Sequence, residues 1–186
     1  MKRSEINALI QDAQSCFERN GWALPPEPRW DVTDFGLGDW RRFGLVLVNL
    51  AEEAEYCEKL MYAQRGMITP QHTHRVKKED IIARWGTLRI QVWQGEPGTP
   101  FDINVNGRTR RVRSGEVIEL AAGERVTLVP GVYHEFAPVS DECIIGEVST
   151  ANDDLRDNFF VNEAVGRFSE IEEDEPARVR LVHESH

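Results

Sequence analysis

The stretch GMITPQHTHRVKKEDIIARWG, Gly66 to Gly86, gathers groups that can bind a metal. His72 and His74 stand one residue apart, so on an extended backbone both project from one face. Glu79 follows after HRVKK, which leaves the chain room to turn before EDIIARWG runs as a new strand. A third imidazole, His134, lies in LVPGVYHEF, where Pro130 and Gly131 can aim a loop. Three His and one Glu form a mixed nitrogen and oxygen set suited to Mn²⁺, Fe²⁺, Co²⁺, Ni²⁺ or Zn²⁺. Ca²⁺ and Mg²⁺ want more oxygens, and a structural Zn²⁺ site is usually closed and favours cysteine. His183 and His186 fall in a polar tail and read as solvated.

The elements that must position these groups are mostly short strands. Residues 1–42 read as an N-terminal helix and arm: Ile6, Leu9, Ile10, Ala13, Cys16 and Phe17 recur at helical spacing, Ser4 is the candidate N-cap, and Asn20-Gly21 is the stop. PPEPRWDVTDFGLGDW reads as a meandering loop that packs through Trp30, Phe35 and Trp40. Residues 43–150 change period. FGLVLVNL, CEKLMYA, EDIIARW, TLRIQVW, DINVN, EVIEL, RVTLV and CIIGEVS are strand candidates divided by turn signals, the rhythm of an all-β sandwich or barrel. In TLRIQVW, Leu88, Ile90 and Val92 share one face. Residues 151–186 read as a C-terminal arm that packs through Phe159, Phe160 and Phe168 and then becomes solvated, the whole making one domain.

Composition narrows the function classes. A chain of 186 residues can bury a sizeable core. Its net charge of −10 argues against a phosphate-backbone binder, and NGRTRRVR reads as a solvated strand edge. The three cysteines are far apart and lack C-x-x-C spacing, so they read as small buried hydrophobes. No apolar run reaches the ~20 residues of a membrane span, and MKRSEINALIQDAQ lacks the apolar core of a secretory signal. A cytoplasmic protein with no nucleic-acid or membrane partner is expected.

The spacing itself resembles a known superfamily. Gly66, five residues, His72-Thr73-His74, four residues, Glu79, six residues and Gly86 match the first cupin motif. Gly123 and His134 have the separation of the second, although the proline comes one place late at Pro130 and Pro138 stands where asparagine is usual. The resemblance implies an all-β cupin double-stranded β-helix, a jelly-roll-like barrel, with the metal inside and an N-terminal helical arm. HTHRVKKEDIIARWG, the later GEVSTANDDLRDNFF and the helical arm together resemble the D-lyxose ketol-isomerases. That family implies a manganese-dependent, cytoplasmic, dimeric enzyme interconverting D-lyxose with D-xylulose and D-mannose with D-fructose. The rival readings are an Fe²⁺ cupin dioxygenase and a non-catalytic sugar-binding cupin.

Aldose–ketose isomerisation needs a base and a proton donor beside the bound sugar. Glu147 in GEVS is the candidate base, since Ile145, Glu147 and Ser149 share a face if CIIGEVS is a strand. Lys77, two residues before Glu79, or its neighbour Lys78 is the candidate cation, with Lys77 the one expected to reach the sugar oxygens. Asp157 and Arg167 are candidate contacts to sugar hydroxyls, and Trp93, Phe136, Phe159 and Phe160 are aromatics for the wall or the core.

Overall fold

The computed structural model describes residues 1–153, 156–166 and 170–185. The apolar stripe of the first segment forms helix α1 (Arg3–Arg19), which buries Ile6, Leu9, Ile10, Ala13, Cys16 and Phe17. Its cap lies two residues before the expected one. Lys2 takes the cap position, and its amide donates to Glu5 Oε2 at 2.9 Å. Ser4 instead donates its amide and hydroxyl to the Asp174 carboxylate, at 2.9 and 2.7 Å. A side chain from the far end of the chain thus serves the helix start.

Strands follow as β1 (Arg29–Thr33), β2 (Leu45–Glu52), β3 (Tyr56–Gln64), β4 (Thr69–Thr73), β5 (Glu79–Trp85), β6 (Leu88–Trp93) and β7 (Pro100–Val105). Then come β8 (Arg108–Arg113), β9 (Glu116–Leu120), β10 (Arg125–Leu128), β11 (Tyr133–Pro138), β12 (Glu142–Thr150) and β13 (Phe159–Phe160). A short helix α2 (Trp40–Phe43) precedes β2, and a 3₁₀ helix spans Val182–Ser185. The larger sheet runs β1-β2-β3-β12-β5-β10-β7-β8, and the smaller runs β13-β4-β11-β6-β9. All named ladders are antiparallel, as hairpin-rich sequences require. The basic run NGRTRRVR becomes β8, an edge strand whose Arg110 and Arg111 pair with Glu116 and Asp102.

Two expectations are corrected by the sheets. RWDVT, read as loop because prolines surround it, is β1 and pairs with β2 residue for residue. The C-terminal arm does not simply become solvated: Phe159–Phe160 add a strand to β4, and Leu181 is fully buried.

The larger sheet is buried on both faces near α1, which explains why FGLVLVNL is almost continuously apolar. On one face, Phe17 of α1 packs against Trp30 and Tyr62, with ring centroids 6.2 and 6.5 Å apart. Alternation turns Asp31, Leu47, Lys59, Met61 and Glu147 to the other face, toward a cavity shared with the smaller sheet. Gly86 ends β5 at φ +79°, and a Cβ there would come within 2.6 Å of the Glu142 carbonyl oxygen, so glycine is required on two counts.

Candidate metal centre and active site

His72 sits on β4, His74 just past its end, His134 on β11 and Glu79 at the start of β5. β4 and β11 pair with His72 directly opposite His134, which brings their ring centroids to 4.1 Å. Glu79 arrives from the facing sheet. All four side chains are buried, and one ligating atom from each lies within 4.8 Å of the others. That spacing is close enough for the four side chains to share one ion.

Each imidazole is oriented from behind. Nδ1 of His72 donates to the Pro70 carbonyl at 2.8 Å, that of His74 to the Asp157 carbonyl at 2.6 Å, and that of His134 to the Val132 carbonyl at 3.3 Å. A carbonyl only accepts, so each Nδ1 carries the proton and each Nε2 presents its lone pair inward. Burial first, then the neighbouring His134 and His74, push the His72 imidazole well below its usual pKa and keep it in the ligating form.

The centre also fails to satisfy itself. Glu79 Oε1 lies 2.9 Å from His134 Nε2 and 3.3 Å from His74 Nε2. None of these three buried atoms has a hydrogen-bond partner among the described residues. Orphaned buried polar atoms are costly, and three converging on one point fit a shared cation. The group can hold a divalent metal.

Lys77 lies behind Glu79 and extends the charge network. Its Nζ donates to Glu79 Oε2 at 2.8 Å and to Glu147 Oε1 at 3.0 Å. One oxygen of Glu79 is thereby tied down while the other faces the histidines. Burial works against the Lys77 ammonium, but Glu147 and Glu79 outweigh it and hold its pKa above the ordinary lysine value. Burial likewise works against ionised Glu79, yet the Lys77 charge outweighs it and holds the carboxyl well below the carboxylate range. Glu147 reaches this place because β12 pairs with β5, setting Glu147 opposite Ile81 with Glu79 two residues along. Lys78 is exposed and its amide donates to Thr150 Oγ1, so Lys77 is the inward lysine of the pair.

A cavity of about 300 Å³ opens beside the centre, and His72, Lys77, Glu79 and Glu147 line its polar end. Phe136 and Phe160 wall it, whereas Trp93 does not. Lys59 also lines it, 6% exposed, with Nζ 3.8 Å from Glu147 Oε1. The sequence reading missed Lys59 because a strand lysine usually faces water. Its signal was present: Lys59 shares a face with Cys57, Met61 and Ala63, all apolar. Buried lysines and a carboxylate fit a polyhydroxylated ligand better than the apolar chamber of an oxygenase.

Asp157 is engaged by the backbone of the loop that follows His74. Its carboxylate accepts from the amides of Arg75, Val76 and Lys77 at 2.7, 3.1 and 2.8 Å. Burial raises its pKa, but those amides outweigh it and hold the carboxyl below its ordinary value. Asp157 therefore clamps the loop carrying Lys77 while its own carbonyl orients His74. Arg167, Phe168 and His186 lie outside the described residues. Burial pushes the Cys57 thiol up to about 11 and Cys143 up to about 12, so neither offers a thiolate. None of the described helices is long and apolar enough to cross a membrane.

The chain matches the D-lyxose isomerase family over residues 27–185. It is 33% identical to the D-lyxose/D-mannose isomerase of Serratia proteamaculans, across 99% of this chain and 97% of the relative. Identity to the corresponding enzyme of Escherichia coli O157:H7 is 30%, across 99% and 98%. The L-ribose isomerase of Cellulomonas parahominis superposes with a TM-score of 0.68 over 92% of this chain and 98% of that one, at 19% identity, a likeness of fold. Cupin-type sheets, a buried three-histidine and one-glutamate centre and near full-length similarity converge: the chain belongs to the D-lyxose isomerase family.

Proposed function

We propose that this protein is a metal-dependent aldose–ketose isomerase that converts D-lyxose to D-xylulose and D-mannose to D-fructose. The observation that carries the reading is the Lys77–Glu147 pair, set 3.0 Å apart at the polar end of the cavity, directly behind the four-residue metal centre. The names of the relatives, D-lyxose/D-mannose isomerase, support the choice of sugars. His72, His74, Glu79 and His134 would hold the metal, which when bound polarises the oxygens on C1 and C2 and favours the enediol.

The residues of the chain handle the proton and the substrate. Glu147 removes the C2 proton and returns it to C1 while the O2 hydroxyl proton passes to O1, and its buried carboxylate is aimed by Lys77 rather than left to solvent. Lys77 offsets two carboxylates at once and donates to a sugar oxygen as negative charge develops there. Apolar side chains of Leu47, Met61, Phe136 and Phe160 on the cavity wall reduce the water around the enediol. Mn²⁺ is the metal this reading takes as native, with a homodimer as the working assembly and the cytoplasm as the compartment.

The decisive assay uses purified protein stripped with EDTA and re-metallated with Mn²⁺, offered D-lyxose and D-mannose. Ketose formation that depends on added Mn²⁺ is the expected result. Sugar binding without turnover in every metal form refutes the isomerase and leaves a binding protein. Light scattering on the same sample reads the oligomeric state.

A further inference from the structure

One carboxylate on the cavity wall has no part in the chemistry above. Asp31 lies on β1 with 4% exposure and faces the same cavity as Glu147 and Lys59. Cross-strand register sets it in a row with Leu47 and Met61, while the neighbouring row runs Asn49, Lys59, Glu147. Its row is otherwise apolar. An ionised carboxylate at such a place is unfavourable unless partners compensate.

The C-terminal tail brings a partner. His183 Nδ1 stands 2.8 Å from Asp31 Oδ1. The 3₁₀ helix that carries His183 is fastened on both sides. Leu181 before it is fully buried, and Glu184 after it binds the guanidinium of Arg3, which is itself 1% exposed. The Leu181 amide also donates to Glu184 at 2.8 Å. His183, expected to be solvated, is delivered to the cavity wall by a built support.

We infer that Asp31, positioned by His183, determines specificity by binding sugar hydroxyls remote from the reacting C1–C2 pair. The inference rests on the isomerase reading above. With C1 and C2 at the metal centre, the rest of an open-chain sugar extends along the sheet face toward β1. Hydroxyls there are donors. A carboxylate is acceptor-only with about four acceptor sites, so it can take hydroxyls alongside its protein partners. Leu47 and Met61 line the wall beside it and offer no competing hydrogen bond, which sharpens that recognition.

The test compares D-lyxose with its 4-deoxy and 5-deoxy analogues, using the Mn²⁺-loaded protein and its Asp31→Asn, His183→Ala and His183→Gln variants. In the wild type, one analogue shows KM raised roughly tenfold or more, the loss expected for a hydrogen bond to a charged group. Asp31→Asn and His183→Ala raise KM for D-lyxose with kcat changed far less, and they erase the discrimination against that analogue. His183→Gln, which still donates an N–H, stays closer to wild type. Equal wild-type KM for all three sugars overturns the inference without any variant. Folded variants that keep wild-type discrimination overturn it as well, and His183→Ala decides if Asp31→Asn does not fold. A wild type inert on D-lyxose sinks the isomerase reading and this inference together, whereas an active enzyme with unchanged discrimination sinks only the role of Asp31.

Discussion

Asp157→Ala removes a carboxylate that accepts from three successive backbone amides, at 2.7 Å from Arg75, 3.1 Å from Val76 and 2.8 Å from Lys77. Hydrogen bonds to a charged group contribute roughly 1.5–3 kcal/mol each. Arg75 and Val76 are exposed, so water replaces much of their loss, whereas Lys77 is buried and its amide is left unpaired. The sum is about 3 kcal/mol, which for a chain of this size lowers Tm by roughly 6–12 °C. The loop also carries Lys77 to Glu79, and supports behind metal ligands are worth about 10- to 100-fold in metal affinity. Thermal unfolding of the metal-free protein and Mn²⁺ titration measure the two effects. Asp157→Asn keeps one acceptor oxygen and recovers part of each. A sugar-binding Asp157 gives the opposite pattern, with KM for D-lyxose raised while Tm and Mn²⁺ affinity stay at wild type. That outcome would falsify the clamp.

Further outcomes follow from the same geometry. Glu147→Gln keeps the shape beside Lys77 but removes the base, so kcat falls by about 10²- to 10⁴-fold while Mn²⁺ binding persists; unchanged kcat excludes Glu147 from the proton transfer. His74→Ala abolishes Mn²⁺-dependent turnover while circular dichroism still reports a folded β protein, and full activity would remove His74 from the centre. Arg3 holds the Glu184 carboxyl below its ordinary value of 4.5. A depressed folded pKa stabilises above the unfolded value and that stability is lost as pH falls through the folded one. Tm should therefore drop below about pH 4.5 more in the wild type than in Glu184→Gln, and parallel curves count against the latch.

How much was legible depended on whether a feature was local. The candidate metal set was, because His72, His74 and Glu79 lie within eight residues and alternation alone turns both histidines one way. Glu147 and Lys77 were legible as candidates, but their contact joins residues 70 apart and exists only because β12 pairs with β5. Lys59 hid behind the habit of strand lysines, and Asp31 behind the prolines that disguise β1. Asp157 stood out as a carboxylate on the C-terminal arm, but its amide partners were hidden, since a carboxylate looks alike whether it accepts from hydroxyls or from amides.

From the sequence alone came the all-β class, the helical arm, the four candidate ligands and the family, all encoded by period, spacing and residue type along short stretches. Only the tertiary structure decided which atoms of those ligands face one another, which lysine turns inward, and that the C-terminal tail returns to seat His183 on Asp31. The physical reason is that register and chain return are set by the summed burial of whole sheet faces. No stretch of sequence carries that sum by itself.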